Sequence, residues 1–157
     1  MNIKAMLQAQ KELDQANFDK AGITEYPLEE VKIAYRVELG EALQEAKFWK
    51  YWKKSKGEVD REKLLEELAD CLHFALSLEN KEKFKYMQMD SGFENSDFTG
   101  LKKMDIYEVI DDCFEVCCSV LIDTVALGLK LGFTLEELEQ AYWDKNKINW
   151  DRVNGDY

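Results

Sequence analysis

The chain has 157 residues, enough to bury a core and suited to one domain. Its formal net charge of −11, from 32 acidic against 21 basic residues, disfavours nucleic-acid binding, which needs Lys and Arg to displace phosphate counterions. One Pro and eight Gly argue against a turn-rich β protein, and no apolar run reaches the ~18 residues that mark a membrane span.

Residues 3–15 carry a weak amphipathic pattern, with Ile3, Met6, Leu7, Gln10, Leu13 and Asp14 on one broad face. The opening MNIKAMLQAQ is too polar for a secretory signal, so a cytoplasmic location is expected. A loop over 16–27 ends in Tyr26-Pro27, and Pro27 is placed to open a helix over 28–53. KSKGEVD then reads as a polar linker, with Asp60 the N-cap of a helix running to residue 80. Residues 84–103 hold no steady period and read as a variable loop. A strongly apolar helix is expected over 105–130, stopping at Gly132. Thr134-x-x-Glu137 is a capping box that opens a last helix to residue 148, and the tail NWDRVNGDY reads as irregular. Residues 1–157 are therefore expected to form a single all-α domain, a helical bundle.

Cys71, Cys113, Cys117 and Cys118 lie in apolar helical pattern and read as reduced core residues. Neighbouring cysteines cannot bridge easily inside a helix. Cys113-x3-Cys117, in a chain with one His, lacks the second ligand pair that a zinc site needs.

The chemistry is carried by VELGEALQE, residues 37–45. At about 100° per residue, Glu38, Glu41 and Glu45 fall on the side that also carries Val31, Ala34, Tyr35 and Ala42. A solvated acidic face shows the opposite arrangement. EELADCLHFALSL is its companion: Glu66, Glu67, Asp70, His73 and Ser77 make a narrow polar stripe on a helix apolar over most of its circumference. Glu38-x-x-Glu41 and Glu67-x-x-Asp70 each offer two carboxylates from one turn, and facing pairs make an oxygen-rich site suited to Mg²⁺ or Mn²⁺. A third stripe, Glu108, Asp112, Glu115, Ser119 and Asp123, reads as a wet face or subunit contact, with a metal role as the alternative.

E-x-x-E, then the aromatic-basic stretch KFWKYWK, then E-x-x-D with a nearby His, resembles the dimeric all-α dUTPases, within the wider all-α NTP pyrophosphatase group. The tail YWDKNKINWDRVNGDY is similar to that family's Y-x-x-K-N-x-x-N-x-x-R-Q-x-x-G-Y at Tyr142, Lys145, Asn146, Asn149, Arg152 and Tyr157, with Val153 in place of Gln and Asp156 in place of Gly. The resemblance implies a helical bundle of that type and a homodimer. It also implies Mg²⁺-dependent hydrolysis of dUTP, and of dUDP, which supplies dUMP and limits uracil incorporation into DNA. Carried onto this chain, it implies Glu38, Glu41, Glu67 and Asp70 as metal ligands, with Glu38 or Glu41 activating water. Lys145 and Arg152 would hold phosphate, with Asn149 orienting them. Gln10 and Asp14 would stand near the base, and His73 is a candidate contact to the deoxyribose. Trp52 is the chosen aromatic beside uracil, with Phe48, Trp49 and Tyr51 competing, although the family often has Trp where this chain has Ala46.

Two rivals use the same residues differently. A general all-α NTP pyrophosphatase would keep the metal site without a uracil pocket. A non-catalytic helical binding protein would carry the acids as surface charge. A di-iron carboxylate bundle would need two E-x-x-H motifs, which a chain with one His cannot supply.

Overall fold

The computed structural model describes residues 1–82, 103–116 and 120–155. They form six helices and, among the described residues, no strand: α1 Ile3–Ala21, α2 Leu28–Ala46, α3 Arg61–Glu82, α4 Ile106–Glu115, α5 Val120–Lys130 and α6 Leu135–Asn154. The fold is all-α. The variable loop expected at 84–103 lies outside the described residues except for Lys103, as do Cys117, Cys118, Ser119, Asp156 and Tyr157.

The apolar helix takes the centre. α3 packs against α1, α2, α5 and α6, and Leu64, Leu68, Cys71, Leu72, Ala75, Leu76 and Leu78 are buried around it. Along its polar stripe Glu66 is exposed, Glu67 and Asp70 are half-buried, and His73 and Ser77 are buried among the neighbours. Asp60 caps it as expected, accepting from the Lys63 amide at 3.1 Å. On α2 the apolar side chains Val31, Tyr35, Leu39 and Ala42 are buried. The buried Tyr35 hydroxyl meets Thr124 Oγ1 at 2.8 Å, and Thr124 donates to the Val120 carbonyl at 2.6 Å, which ties α2 to α5.

Four element boundaries differ from the expectation, each for a physical reason. α1 continues to Ala21, because Gln15 bonds Asp19 one turn on at 2.8 Å and Gly22 closes the helix with φ 70°. α2 stops at Ala46, where Lys47 turns left-handed while its N–H still bonds the Leu43 carbonyl, to which the Trp49 indole also donates at 2.8 Å. The aromatic-basic stretch is therefore a run of turns. The apolar segment 105–130 is two helices, because Val116 takes φ 52° after α4. α6 reaches Asn154 because Lys20 of α1 donates to the carbonyls of Arg152 and Val153 at 3.1 and 2.9 Å. That cap comes from the far end of the chain. Gly132 ends α5 as expected, with φ 91°.

Two glycines predict opposite stability effects. A Cβ on Gly128 would meet both Leu138 methyls at 2.8 Å, whereas one on Gly40 meets nothing within 4 Å. Gly128→Ala should cost about 1–3 kcal/mol through overpacking of α5 on α6. Gly40→Ala should gain up to about 1 kcal/mol of helix propensity. Urea unfolding of both variants checks the pair, and equal effects would contradict this packing.

Candidate active site

α2 and α3 bring carboxylates together. One acid from α2, Glu38, and two from α3 at three-residue spacing, Glu67 and Asp70, each offer an oxygen within 4.8 Å of the others, and all three are half-buried. Glu41, the fourth expected member, is exposed and outside this group. Its charge still contributes to raising the proton affinity of Glu38 and Glu67. Burial, then Asp70, Glu41 and Glu67, push the Glu38 carboxyl up to about 7, against relief from Lys145. Burial likewise raises Glu67 and Asp70 above their ordinary values. Glu45, also on the acidic side of α2, is instead paired with Lys63 at 2.7 Å.

Such a cluster is short of positive charge. Converging oxygens on two packed helices fit a hard divalent cation, and the repulsion among them is what such an ion would relieve. The cation in direct contact with the cluster is Lys145 of α6, whose Nζ lies 2.6 Å from Asp70 Oδ2, while Lys63 also acts on Glu67. Because α6 persists to Asn154, Lys145, Asn149 and Arg152 share one face at i, i+4 and i+7. Arg152 Nη1 lies 3.4 Å from Asn149 Oδ1, and its charge favours the ionised form of Asp70.

Further along the polar stripe of α3 lies a buried network. His73 Nδ1 is 2.7 Å from Gln10 Oε1, and Gln10 Nε2 donates to Asp14 Oδ1 at 2.7 Å. The Tyr142 ring stacks on His73 with centroids 4.5 Å apart, and its hydroxyl donates to the Met6 carbonyl at 3.0 Å. Asp14 and Ser77 open onto a cavity of about 640 Å³ whose walls include Phe18, Tyr26 and Asn80. Tyr26 and Ser77 hydroxyls are 2.9 Å apart, and Phe18 meets Tyr26 edge-on at 5.8 Å.

Gln10, Asp14 and His73 are thus joined, but Gln10 and His73 are buried within the network. Trp52 is exposed, and its ring contacts are Trp49 and Tyr51, at 5.4 and 5.2 Å. The aromatic residues at the cavity are Phe18 and Tyr26, which sequence reasoning placed in a loop. Asp14 four residues before Phe18 was the available signal, once α1 is continued past residue 15. The third acidic stripe is split between α4 and α5; burial and Asp112 still push Asp123 up to about 6.

His73 carries a pH prediction. Burial holds its pKa down to about 4, against an ordinary 6.5. Between those values the unfolded chain binds a proton that the folded one refuses, so this residue's contribution to stability falls as pH drops from 6.5 toward 4. The full loss is about 3 kcal/mol. His73→Gln should therefore destabilise less steeply on acidification than wild type. Urea midpoints at about pH 7 and about pH 4.5 test it, with identical pH slopes the contrary outcome.

A family model described as dUTPase matches residues 2–157 of the chain. No curated protein matches it.

Proposed function

The chain belongs to the dUTPase family and hydrolyses dUTP, and from that premise we propose that it does so with Mg²⁺ held by Glu38, Glu67 and Asp70, Glu41 completing the set. The convergence of those three carboxylates at the α2–α3 contact is the observation that carries this reading. A bound Mg²⁺ would withdraw charge from the phosphates, and Mn²⁺ would serve as substitute. Lys145 and Arg152 hold phosphate oxygens, with Asn149 orienting Arg152. Either Glu38 or Glu41 takes the proton of the attacking water, and Gln variants of each distinguish them. Water adds to phosphorus, pyrophosphate leaves, and dUMP remains; dUDP is a second substrate.

The base and sugar occupy the cavity beyond. Ser77 is seven residues from Asp70 on the same side of α3, two turns and roughly 10 Å along the axis. That spacing suits a nucleotide with its phosphates at the acids and its base beside Asp14, Phe18 and Tyr26. Residues 1–157 act as one dUTPase-like domain in the cytoplasm, supplying dUMP and keeping uracil out of DNA. A homodimer is supported by exposed Ile33 and Val37 on α2 and Phe114 on the adjoining α4. Among the described residues no helix is long and apolar enough to cross a membrane, and the acidic charge supports a protein that does not bind nucleic acid.

Pyrophosphate release from each common ribo- and deoxynucleoside triphosphate, with Mg²⁺, tests the assignment. dUTP should lead by at least ~10-fold over thymidine triphosphate, since a wall at one methyl is worth ~1–3 kcal/mol. Equal rates across bases would favour the general pyrophosphatase instead.

A further inference from the structure

Gln10 is enclosed by Asp14, His73 and Tyr142, and their hydrogen atoms cannot all be matched while Asp14 is charged. With Gln10 Nε2 donating to Asp14, its Oε1 faces His73 Nδ1 at 2.7 Å, so that nitrogen must carry the ring proton. A neutral imidazole has one N–H. His73 Nε2 is then bare, yet it lies 3.4 Å from the Tyr142 carbonyl oxygen. The Tyr142 hydroxyl has one proton for two acceptors, the Met6 carbonyl at 3.0 Å and Gln10 Oε1 at 3.5 Å, so one of them is left facing its lone pairs. Two acceptor pairs face each other in a buried site, where such mismatches are costly.

Turning the Gln10 amide over removes both. Nε2 then donates to His73 Nδ1 and to the Tyr142 hydroxyl, and His73 donates from Nε2 to the Tyr142 carbonyl. Gln10 Oε1 now faces Asp14, which must supply a proton. The two ends of an amide are nearly isosteric, so the two arrangements differ by one proton and little movement.

We propose that Gln10, Asp14 and His73 form a one-proton relay: charged Asp14 holds His73 as the Nδ1–H tautomer, and neutral Asp14 releases it to the Nε2–H tautomer. Asp14 also lines the cavity, so the relay decides whether a ligand edge meets an acceptor or a donor. Uracil presents N–H at N3 where cytosine presents a bare nitrogen, and charged Asp14 suits the former; this consequence alone rests on the cavity being the base site. The charged groups that share the cavity lining with Asp14 are Lys11 on its own helix, Glu25 on the α1–α2 connection, and Glu79 and Lys81 on α3. From α6, Lys145 acts on His73. Burial raises the Asp14 pKa, while hydrogen bonds from Ser77 and Gln10 oppose the rise.

His73 is the only histidine, so the full chain labelled with ¹⁵N-histidine gives one imidazole whose tautomer NMR reads directly. At about pH 7 wild type should show Nδ1–H. Asp14→Asn, which no longer forces an acceptor on Gln10, should show Nε2–H, and so should Gln10→Leu, which leaves the ring only the Tyr142 carbonyl. Acidifying wild type should move it the same way as Asp14 takes up its proton. One tautomer across all three proteins would overturn the relay. The readout needs no turnover: a protein that switches yet hydrolyses dUTP and dCTP alike would discard the cavity as base site and leave the relay standing.

Discussion

Glu67→Gln and Asp70→Asn should each abolish dUTP hydrolysis, lowering kcat/KM by ~10²–10³-fold or more, the scale set by losing one preorganised electrostatic partner. The metal-free proteins should nevertheless be no less stable than wild type. Glu38, Glu67 and Asp70 all have raised proton affinities, which means the folded state resists their ionisation. For Glu38 the sign is explicit. Its pKa rises from 4.5 to about 7, so stability is fully present below 4.5 and lost as pH climbs through about 7. Glu38→Gln should therefore stabilise the metal-free protein above that pH by on the order of 1 kcal/mol, after discounting for the screening of a half-exposed group. Mg²⁺ should raise the Tm of wild type and lose much of that effect in all three variants. Undiminished turnover of Glu67→Gln and Asp70→Asn at saturating Mg²⁺ would remove these carboxylates from the site.

That trade of stability for a site was partly legible in the sequence. Local periodicity located α3 and its narrow polar stripe, and the same periodicity put the Glu38 carboxylate on the apolar side of α2. Both follow from side-chain direction on a helix, a short-range property. The limits of the helices depended instead on distant partners. Lys20 caps α6 from α1, and no pattern within NWDRVNGDY announces it. The same extension puts Arg152 on a helical face with Lys145, an alignment their seven-residue spacing allows only if the helix persists past residue 148. Phe18 fell outside the expected helix for a related reason: α1 beyond residue 15 is held by polar side chains such as Gln15 and Asp19 rather than by an apolar stripe, whereas Tyr26 lies in the α1–α2 connection, where a loop was expected. α2 was expected to run on to residue 53; the chain instead turns at Lys47, and the Trp52 ring is exposed.

Lys145→Met should produce two effects of opposite sign. Lys145 lies 2.6 Å from Asp70, with side-chain exposures of 12% and 18%, so it offsets the acidic cluster by direct contact. Removing it leaves Asp70 without its partner and a bound triphosphate without a charge-assisted bond. The expected loss in kcat/KM is about 2–4 kcal/mol, roughly 30- to 1,000-fold. Metal binding without nucleotide should instead tighten, because the variant cluster is more negative and its ligand Asp70 is no longer occupied by an amine. Arg152→Ala offers the contrast. Its guanidinium bears on Asp70 only through longer-range charge, so turnover should fall by about 2 kcal/mol while metal affinity stays near wild type. Calorimetric titration with Mn²⁺ alongside steady-state kinetics separates the two residues. If Lys145→Met weakened metal binding in step with turnover, Lys145 would be holding α6 against α3 rather than serving the phosphates, and the Asp70–Lys145 pair would be a packing contact.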